Sequence, residues 1–211
     1  MQLLANTTSP FGRIARIAMI EKGLDIEPTL VDPWADDPRL RAANVATRVP
    51  TLVLDDGTAL SEALLIVQWL EATRREPDWP SLVGGAAEAA GVCARTGIAM
   101  GAIDASVITI ITRKVTAPVL FDETPVGLRR RRSMVEALQR LDGEVAAGAI
   151  ASPHGDEPPR LDAIAAVTLH DYQLLRFGDQ PWLPDTPRLR ALAKAWRTRA
   201  SFAVTLPPGV A

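Results

Sequence analysis

The chain is poor in the side chains that carry most redox and metal chemistry. Its 211 residues include one cysteine, Cys93, one tyrosine, Tyr172, and two histidines, His154 and His170. One cysteine cannot form an internal disulfide, and two distant histidines supply no zinc-type ligand spacing. No metal site is expected, and a reducing, cytoplasmic compartment is. An excess of charge of one sign is also missing, since 25 acids face 23 bases. So even a balance gives no electrostatic footprint for nucleic acid or for an anionic membrane. Lysine is scarce (Lys22, Lys114, Lys194) but arginine replaces it, a bias of composition rather than of function. The most apolar run, Gly97 to Ile111, is interrupted by Asp104 and closed by Arg113. That is short of the roughly 18 residues of a spanning helix, so a buried helix is expected. Met1 to Ala5 has no basic leader, so no signal peptide is expected.

What is present suffices for a packed core, with 47% hydrophobic residues in a length that allows one large domain or two small ones. Composition changes at Arg74, Arg75, Glu76, Pro77, Asp78, Trp79 and Pro80, ahead of Gly84 and Gly85. The expected organisation is residues 1–75, a linker over 76–86, and residues 87–211.

In the first part, short apolar runs alternate with helical patterns. Leu3 to Ala5 reads as a strand, and Phe11, Ile14, Ala15 and Ala18 stripe one helix face. Ser9 and Pro10 open that helix and Gly23 closes it after Lys22. Ile26 to Val31 is a second strand candidate. Thr51 to Leu54 and Thr58 to Leu60 flank the turn Asp55-Asp56-Gly57, and Ala63, Ile66, Val67 and Leu70 stripe another helix. The order is βαβ, a variable segment, then ββα: an α/β unit followed by an all-α bundle. In the bundle, Thr124-Pro125 opens a helix to about Gly148, Leu161 to Phe177 is closed by Gly178, and Thr186-Pro187 opens a helix to about Arg199. The β-branched run Val107 to Ile111 is assigned to helix, because a lone strand there would have no backbone partner. Ser152 to Pro159 reads as a surface loop.

Thr8-Ser9-Pro10-Phe11, then Arg13, Arg16 and Glu21-Lys22-Gly23, then Asn44 ahead of Arg48-Val49-Pro50, then Asp55-Asp56-Gly57 ahead of Leu60 and Glu62, resemble the thioredoxin-like domain of a bacterial glutathione S-transferase. Pro187 through Trp196 to Ser201-Phe202 and Thr205-Leu206-Pro207-Pro208 is similar to that family's last helix and tail, so the resemblance covers nearly the whole chain. It implies a thioredoxin-like domain followed by an all-helical one, with glutathione as co-substrate. Its thiol would be activated for attack on a small hydrophobic electrophile, as in detoxification. An acceptor pocket is expected from the loop after the first strand and the apolar helix around Met100 to Ile111. Isomerisation and dehalogenation remain open on the same scaffold, as does a binding or regulatory protein without turnover. A homodimer is implied, and closed two-fold pairs are the commonest oligomers.

The resemblance also assigns residues. Arg48, Val49 and Pro50 would bind glutathione, with Val49-Pro50 a cis peptide whose Val49 N–H and C=O pair with the cysteinyl part of the ligand. Ser9 would stabilise the thiolate, since its hydroxyl can donate to sulfur at the positive end of a helix. Thr7 and Thr8 are rival hydroxyls, and Ser9 also reads simply as a helix cap. Glu62 would meet the γ-glutamyl amine and the Ala63 backbone its carboxylate. No cysteine stands at the start of the first helix, which excludes thiol–disulfide exchange by a protein cysteine.

Several positions depart from the family's pattern. Ala63 stands where a serine is usual, with Ser61 one residue early and expected as a helix cap. Val45 and Thr47 replace the usual proline and glycine. Arg160 and Ala163 replace the ends of a capping box, for which Asp162 is a partial substitute. Cys93 is expected to be a small buried hydrophobe and Tyr172 core, while His154 is expected to be exposed. Arg129 to Arg132 reads as a solvated face. His170 and Asp171 are not expected to face each other on a helix.

Overall fold

The computed structural model describes residues 1–75, 77–118 and 120–210. Glu76 of the expected linker, and Val119 and Ala211 of the expected helical half, lie outside the described residues. The chain forms two compact units. One is Met1–Leu82 with Arg199–Pro208, and the other is Val83–Thr198 with the residues that follow Pro208.

The first unit contains strands β1 (Gln2–Ala5), β2 (Thr29–Leu30), β3 (Thr51–Val53) and β4 (Ala59–Ser61), and helices α1 (Pro10–Glu21), α2 (Pro38–Ala43) and α3 (Ala63–Thr73). The strands form one mixed sheet in the order β2-β1-β3-β4, with β2 parallel to β1 and the other pairs antiparallel. The second strand is shorter than its apolar run because Pro28, inside that run, has no N–H to give to a ladder. The β3–β4 hairpin closes as its turn chemistry predicts, with Gly57 N–H donating to Leu54 C=O and Thr58 N–H to the Asp56 carboxylate. Helix α2 arises in the variable segment because Asp37 caps it, accepting from Arg39 N–H at 2.9 Å, ahead of Pro38. The stripe Ala63, Ile66, Val67 and Leu70 is the buried face of α3, as its spacing predicts.

The second unit is all helical: α4 (Ala86–Thr116), α5 (Pro125–Ala146), α6 (Leu161–Phe177) and α7 (Pro187–Trp196), with a 3-10 turn at Phe121–Glu123. The run Val107–Ile111 is helical, within α4. That helix spans 31 residues and is long and apolar enough to cross a membrane by length and composition, so shortness is not what sets it apart from a span. It packs against α5 and α6, with Val92, Ala99, Ala102, Ile103 and Ala105 buried. Cys93 lies off that face and is exposed, against the expectation of burial, because one helical residue turns the side chain by about 100°. Helix α6 is buried along almost its whole length, including Tyr172. Asp162 accepts from Ala163 N–H and pairs with Arg95 at 2.7 Å. Burial pushes its carboxyl above the ordinary range, and Arg95 and the amide offset that only in part. His170 Nδ1 comes within 3.3 Å of Asp171 Oδ1, so these neighbours do meet, and Asp171 also pairs with Arg197. Helix α7 begins at Pro187, but its amides are capped by Asp142 of α5, which accepts from Arg188 and Leu189 N–H, rather than by Thr186. Along Arg129–Arg132, Arg129 and Arg132 are exposed as expected, but Arg130, facing Asp104, and Arg131, pairing with Glu123 and lying over the Trp182 ring, are half-buried, so only part of the run is a solvated face.

A buried lysine holds the far end of the first unit. The Lys22 side chain is 1% exposed, and its ammonium donates to Arg74 C=O, Pro80 C=O and Glu71 Oε1. All three N–H groups are thereby used, so the charge is paired and fully hydrogen-bonded, which is the condition for burying it. Glu71 also accepts from Ser81 Oγ and Leu82 N–H. Gly23 follows with φ +71°, and a Cβ there would fall 2.1 Å from the Trp79 ring, so the turn demands glycine twice over. At the same end of α1, Glu21 receives both Arg199 and Ser201, which seats the short helix α8 (Ala200–Ala203) against α1. Burial raises the Glu71 carboxyl pKa, but hydrogen bonds from Lys22, Ser81 and Leu82 together outweigh it and leave the carboxyl below its ordinary 4.5. A depressed carboxylate contributes stability that is complete above the unfolded value and lost as pH falls through the folded one. Glu71→Gln should therefore cost about 1–3 kcal/mol at neutral pH. It should also lose less further stability than the wild type below about pH 4.5, measured as urea midpoints across an acid titration.

Candidate functional site

The strand registers bring several irregular backbone positions, the cis Val49–Pro50 peptide and positive φ at Thr47 and Glu62, to one end of the sheet. Leu4 pairs with Thr51 and Thr51 with Ser61, so the C-terminal end of β1, the start of β3 and the end of β4 lie side by side. From that end leave the loop that carries Ser9, the loop that carries Arg48, Val49 and Pro50, and the Glu62-Ala63 turn into α3. Residues far apart in sequence thus reach one edge through backbone pairing alone.

Ser9 is the N-cap of α1 and is half-buried, its Oγ accepting from Gly12 N–H at 3.1 Å. A hydroxyl has two lone pairs and one proton. The bond to Gly12 uses a lone pair, and among the described residues nothing accepts the Ser9 proton. Thr8 differs, because its hydroxyl donates to Asn6 Oδ1 at 3.1 Å and its N–H to the same oxygen at 3.0 Å. Asn6 was not singled out in the sequence. Its signal is an Asx turn, an asparagine bonding to the backbone two residues on at the end of a strand.

The Val49–Pro50 peptide is cis, as the resemblance implied, and Pro50 is buried. Val49 is half-buried, and neither its N–H nor its C=O has a hydrogen-bond partner among the described residues. The loop before it is fixed from beneath. Asn44, 9% exposed, donates from Nδ2 to Arg48 C=O at 3.2 Å and to Thr51 Oγ1 at 3.1 Å, and accepts from Ala46 N–H at 3.0 Å. Thr51, fully buried, donates to Arg48 C=O at 2.8 Å. In sequence Thr51 is a strand residue, and its buried hydroxyl gains a role only through the Arg48 carbonyl that the fold places beside it. Thr47 has φ +49°, unusual for a β-branched residue, which explains why glycine is usual there.

Glu62 has φ +69° and is the N-cap of α3, with no side-chain capping bond. Ser61 ends β4 and does not cap the helix, against expectation, because its backbone is committed to the ladder with Thr51. The Glu62 C=O accepts from Leu65 and Ile66 N–H, and the Ala63 and Leu64 amides have no partner among the described residues. These are orphan donors at the positive end of an 11-residue helix, suited to a carboxylate. The Ala63 side chain is buried, and the Glu62 carboxylate meets Arg48 at 2.9 Å. One edge therefore presents an unpaired peptide, two unpaired helix amides, a carboxylate with a guanidinium, and a hydroxyl with an uncommitted proton. A peptide-like ligand with a carboxylate, an amine and a nucleophilic atom would find a partner for each group. Among the described residues, no three His, Cys, Asp or Glu side chains group to hold a metal ion.

Comparison with known proteins bears on this edge. The family model for the N-terminal domain of glutathione S-transferases matches residues 8–73. The chain is 27% identical over 208 residues to the uncharacterised GST-like protein YibF of Escherichia coli (strain K12), covering 99% of each. A glutathione S-transferase from Methylobacterium radiotolerans, crystallised with glutathione sulfonate, superposes with a TM-score of 0.82 at 27% identity, over 98% of this chain and 94% of that one. Another, from Methylobacillus flagellatus with glutathione bound, gives 0.81 at 26% identity over 98% of both chains. The family model falls on the segment that carries Ser9, Val49 and Glu62, and the structural likeness extends through the helical unit to the tail, which together support a member of the glutathione S-transferase family.

Proposed function

We propose that the protein is a glutathione transferase of serine type, which binds glutathione along the sheet edge and activates its thiol for attack on a small hydrophobic electrophile. The observation that carries this reading is the Ser9 hydroxyl, which caps α1 through a lone pair while its proton stays uncommitted, beside a Thr8 hydroxyl already donated to Asn6. A thiolate held there gains a hydrogen bond and the favourable end of the α1 dipole. The unpaired Val49 peptide supports antiparallel pairing with the cysteinyl residue of the ligand, in the manner of an added strand. Glu62 supports binding of the γ-glutamyl ammonium, and the Ala63 and Leu64 amides support binding of its carboxylate. The relatives crystallised with glutathione or its sulfonate favour the same ligand for this chain.

A second reading, binding without turnover, has one observation in its favour. Ala63 offers the ligand carboxylate an amide but no hydroxyl, a loss of about 0.5–1.5 kcal/mol or up to roughly tenfold in affinity. Assays of thioether formation with several electrophiles separate the two readings, since turnover belongs to the first alone.

Ala63→Ser should tighten glutathione binding by at most about 1.5 kcal/mol, as titration calorimetry would record. Ser9→Ala should act elsewhere. Glutathione affinity should change little, whereas the pKa of the bound thiol, followed by ultraviolet absorption of the thiolate, should rise. Lowering a thiol from about 8.5 to about 6.5 raises its ionised fraction at neutral pH by roughly 30-fold, so turnover should fall by no more than that through this route. Loss of the cap should also cost about 1 kcal/mol of stability. If Ser9→Ala leaves the thiol titration unchanged, Ser9 is a cap only. A homodimer belongs to the same proposal, and light scattering at micromolar concentration should return twice the 22.7 kDa chain mass.

A further inference from the structure

The proposed site carries a charge pair of its own. Arg48 Nη1 lies 2.9 Å from Glu62 Oε1, with the two side chains 62% and 53% exposed. The fold does not depend on this contact. The 44–50 loop is held by Asn44 and Thr51, and Glu62 serves α3 through its backbone carbonyl. An exposed pair of this kind contributes roughly 0–1 kcal/mol to stability, so its effect lies in what each partner does to a third charge. A lone carboxylate at this position would attract any amine, whereas a carboxylate already facing a guanidinium attracts one weakly. A guanidinium facing a carboxylate is in the same way a weakened anion site.

We propose that Arg48 is a specificity-determining residue that competes with the ligand's ammonium for Glu62, so that the edge disfavours a simple amine and prefers the zwitterionic end group to a simple acid less sharply than Glu62 alone would. This rests on the glutathione-binding reading. On binding, the γ-glutamyl ammonium takes the Glu62 carboxylate and the displaced guanidinium turns to the ligand's carboxylate, which the unpaired Ala63 and Leu64 amides also face. A ligand offering both charges exchanges partners with the pair, and each ion in the product has a counter-ion. A ligand offering only an amine leaves Arg48 without one.

The test compares glutathione with glutathione acetylated on its α-amino group, by titration calorimetry at low salt, on the wild type, Arg48→Gln and Glu62→Gln. Both side chains are exposed, so both variants should fold, and their thermal melts verify it. Arg48→Gln should weaken binding of both ligands, yet raise the preference for glutathione over its acetylated form by about two- to fivefold, because the ammonium then meets Glu62 without a rival. Glu62→Gln should bring that preference close to one. An unchanged or smaller preference in Arg48→Gln would overturn the competition, as would a preference that survives Glu62→Gln. If the wild type binds no glutathione, the proposed function fails together with this inference; if it binds with the preference unmoved by Arg48→Gln, this inference fails alone.

Discussion

The candidate site depends on backbone groups left unpaired at one end of a four-stranded sheet. Buried peptide groups are costly to leave unpaired, so a folded chain satisfies nearly all of them within itself. Here the β1–β3 and β3–β4 ladders end together at Leu4, Thr51 and Ser61, and the chain beyond them leaves the Val49 peptide and the first two amides of α3 without partners among the described residues. Val49 is half-buried and Glu62 and Leu64 are exposed, so these groups lie close to the surface. Under the proposed function, a peptide with a carboxylate would supply a partner to each of them.

An edge of this kind is useful only if it is held still. Asn44 and Thr51 hold the Arg48 carbonyl from beneath, and Thr47 and Glu62 keep positive φ values at a cost of order 1–3 kcal/mol each. Such conformations persist only where the surroundings over-determine them, and here the ladder on one side and α3 on the other do so. At the opposite end of α1, the Lys22 ammonium and the Glu21 carboxylate fix the helix to the segment after α3 and to the tail. The helix is therefore anchored at its C-terminus while its N-terminus carries the Ser9 cap.

The sequence was most legible where one physical rule acted alone. The stripe of α3, the Asp56-Gly57 hairpin and the proline-opened helices followed from spacing and turn chemistry, and the sheet edge followed from the ordered motifs of the resemblance. Expectations failed where two rules competed. Ile26–Val31 has strand composition, but Pro28 removes a ladder donor. Cys93 sits in an apolar stretch, but the phase of α4 turns it outward. Ser61 is a good cap by type, but the ladder claims its backbone. The pairs Asn44–Thr51, Asp142–Leu189 and Lys22–Glu71 were not legible, since each joins polar residues whose proximity is created by tertiary structure.

The proposed chemistry divides unequally between binding and activation. A free thiol is already a few per cent ionised at neutral pH, so complete ionisation supplies at most roughly 30-fold, or about 2 kcal/mol. Alignment of two reactants in a near-attack geometry can supply several times that free energy. The serine hydroxyl is therefore a modest part of any rate enhancement, and a chain that kept the edge and lost Ser9 would still bind glutathione. The edge is the more demanding structure, because it needs three strand ends, two strained residues and a buried asparagine in register, whereas activation needs one uncommitted proton. On that reasoning binding is the property the fold specifies most tightly, and the proposed turnover would be a smaller addition made at the cap of a single helix.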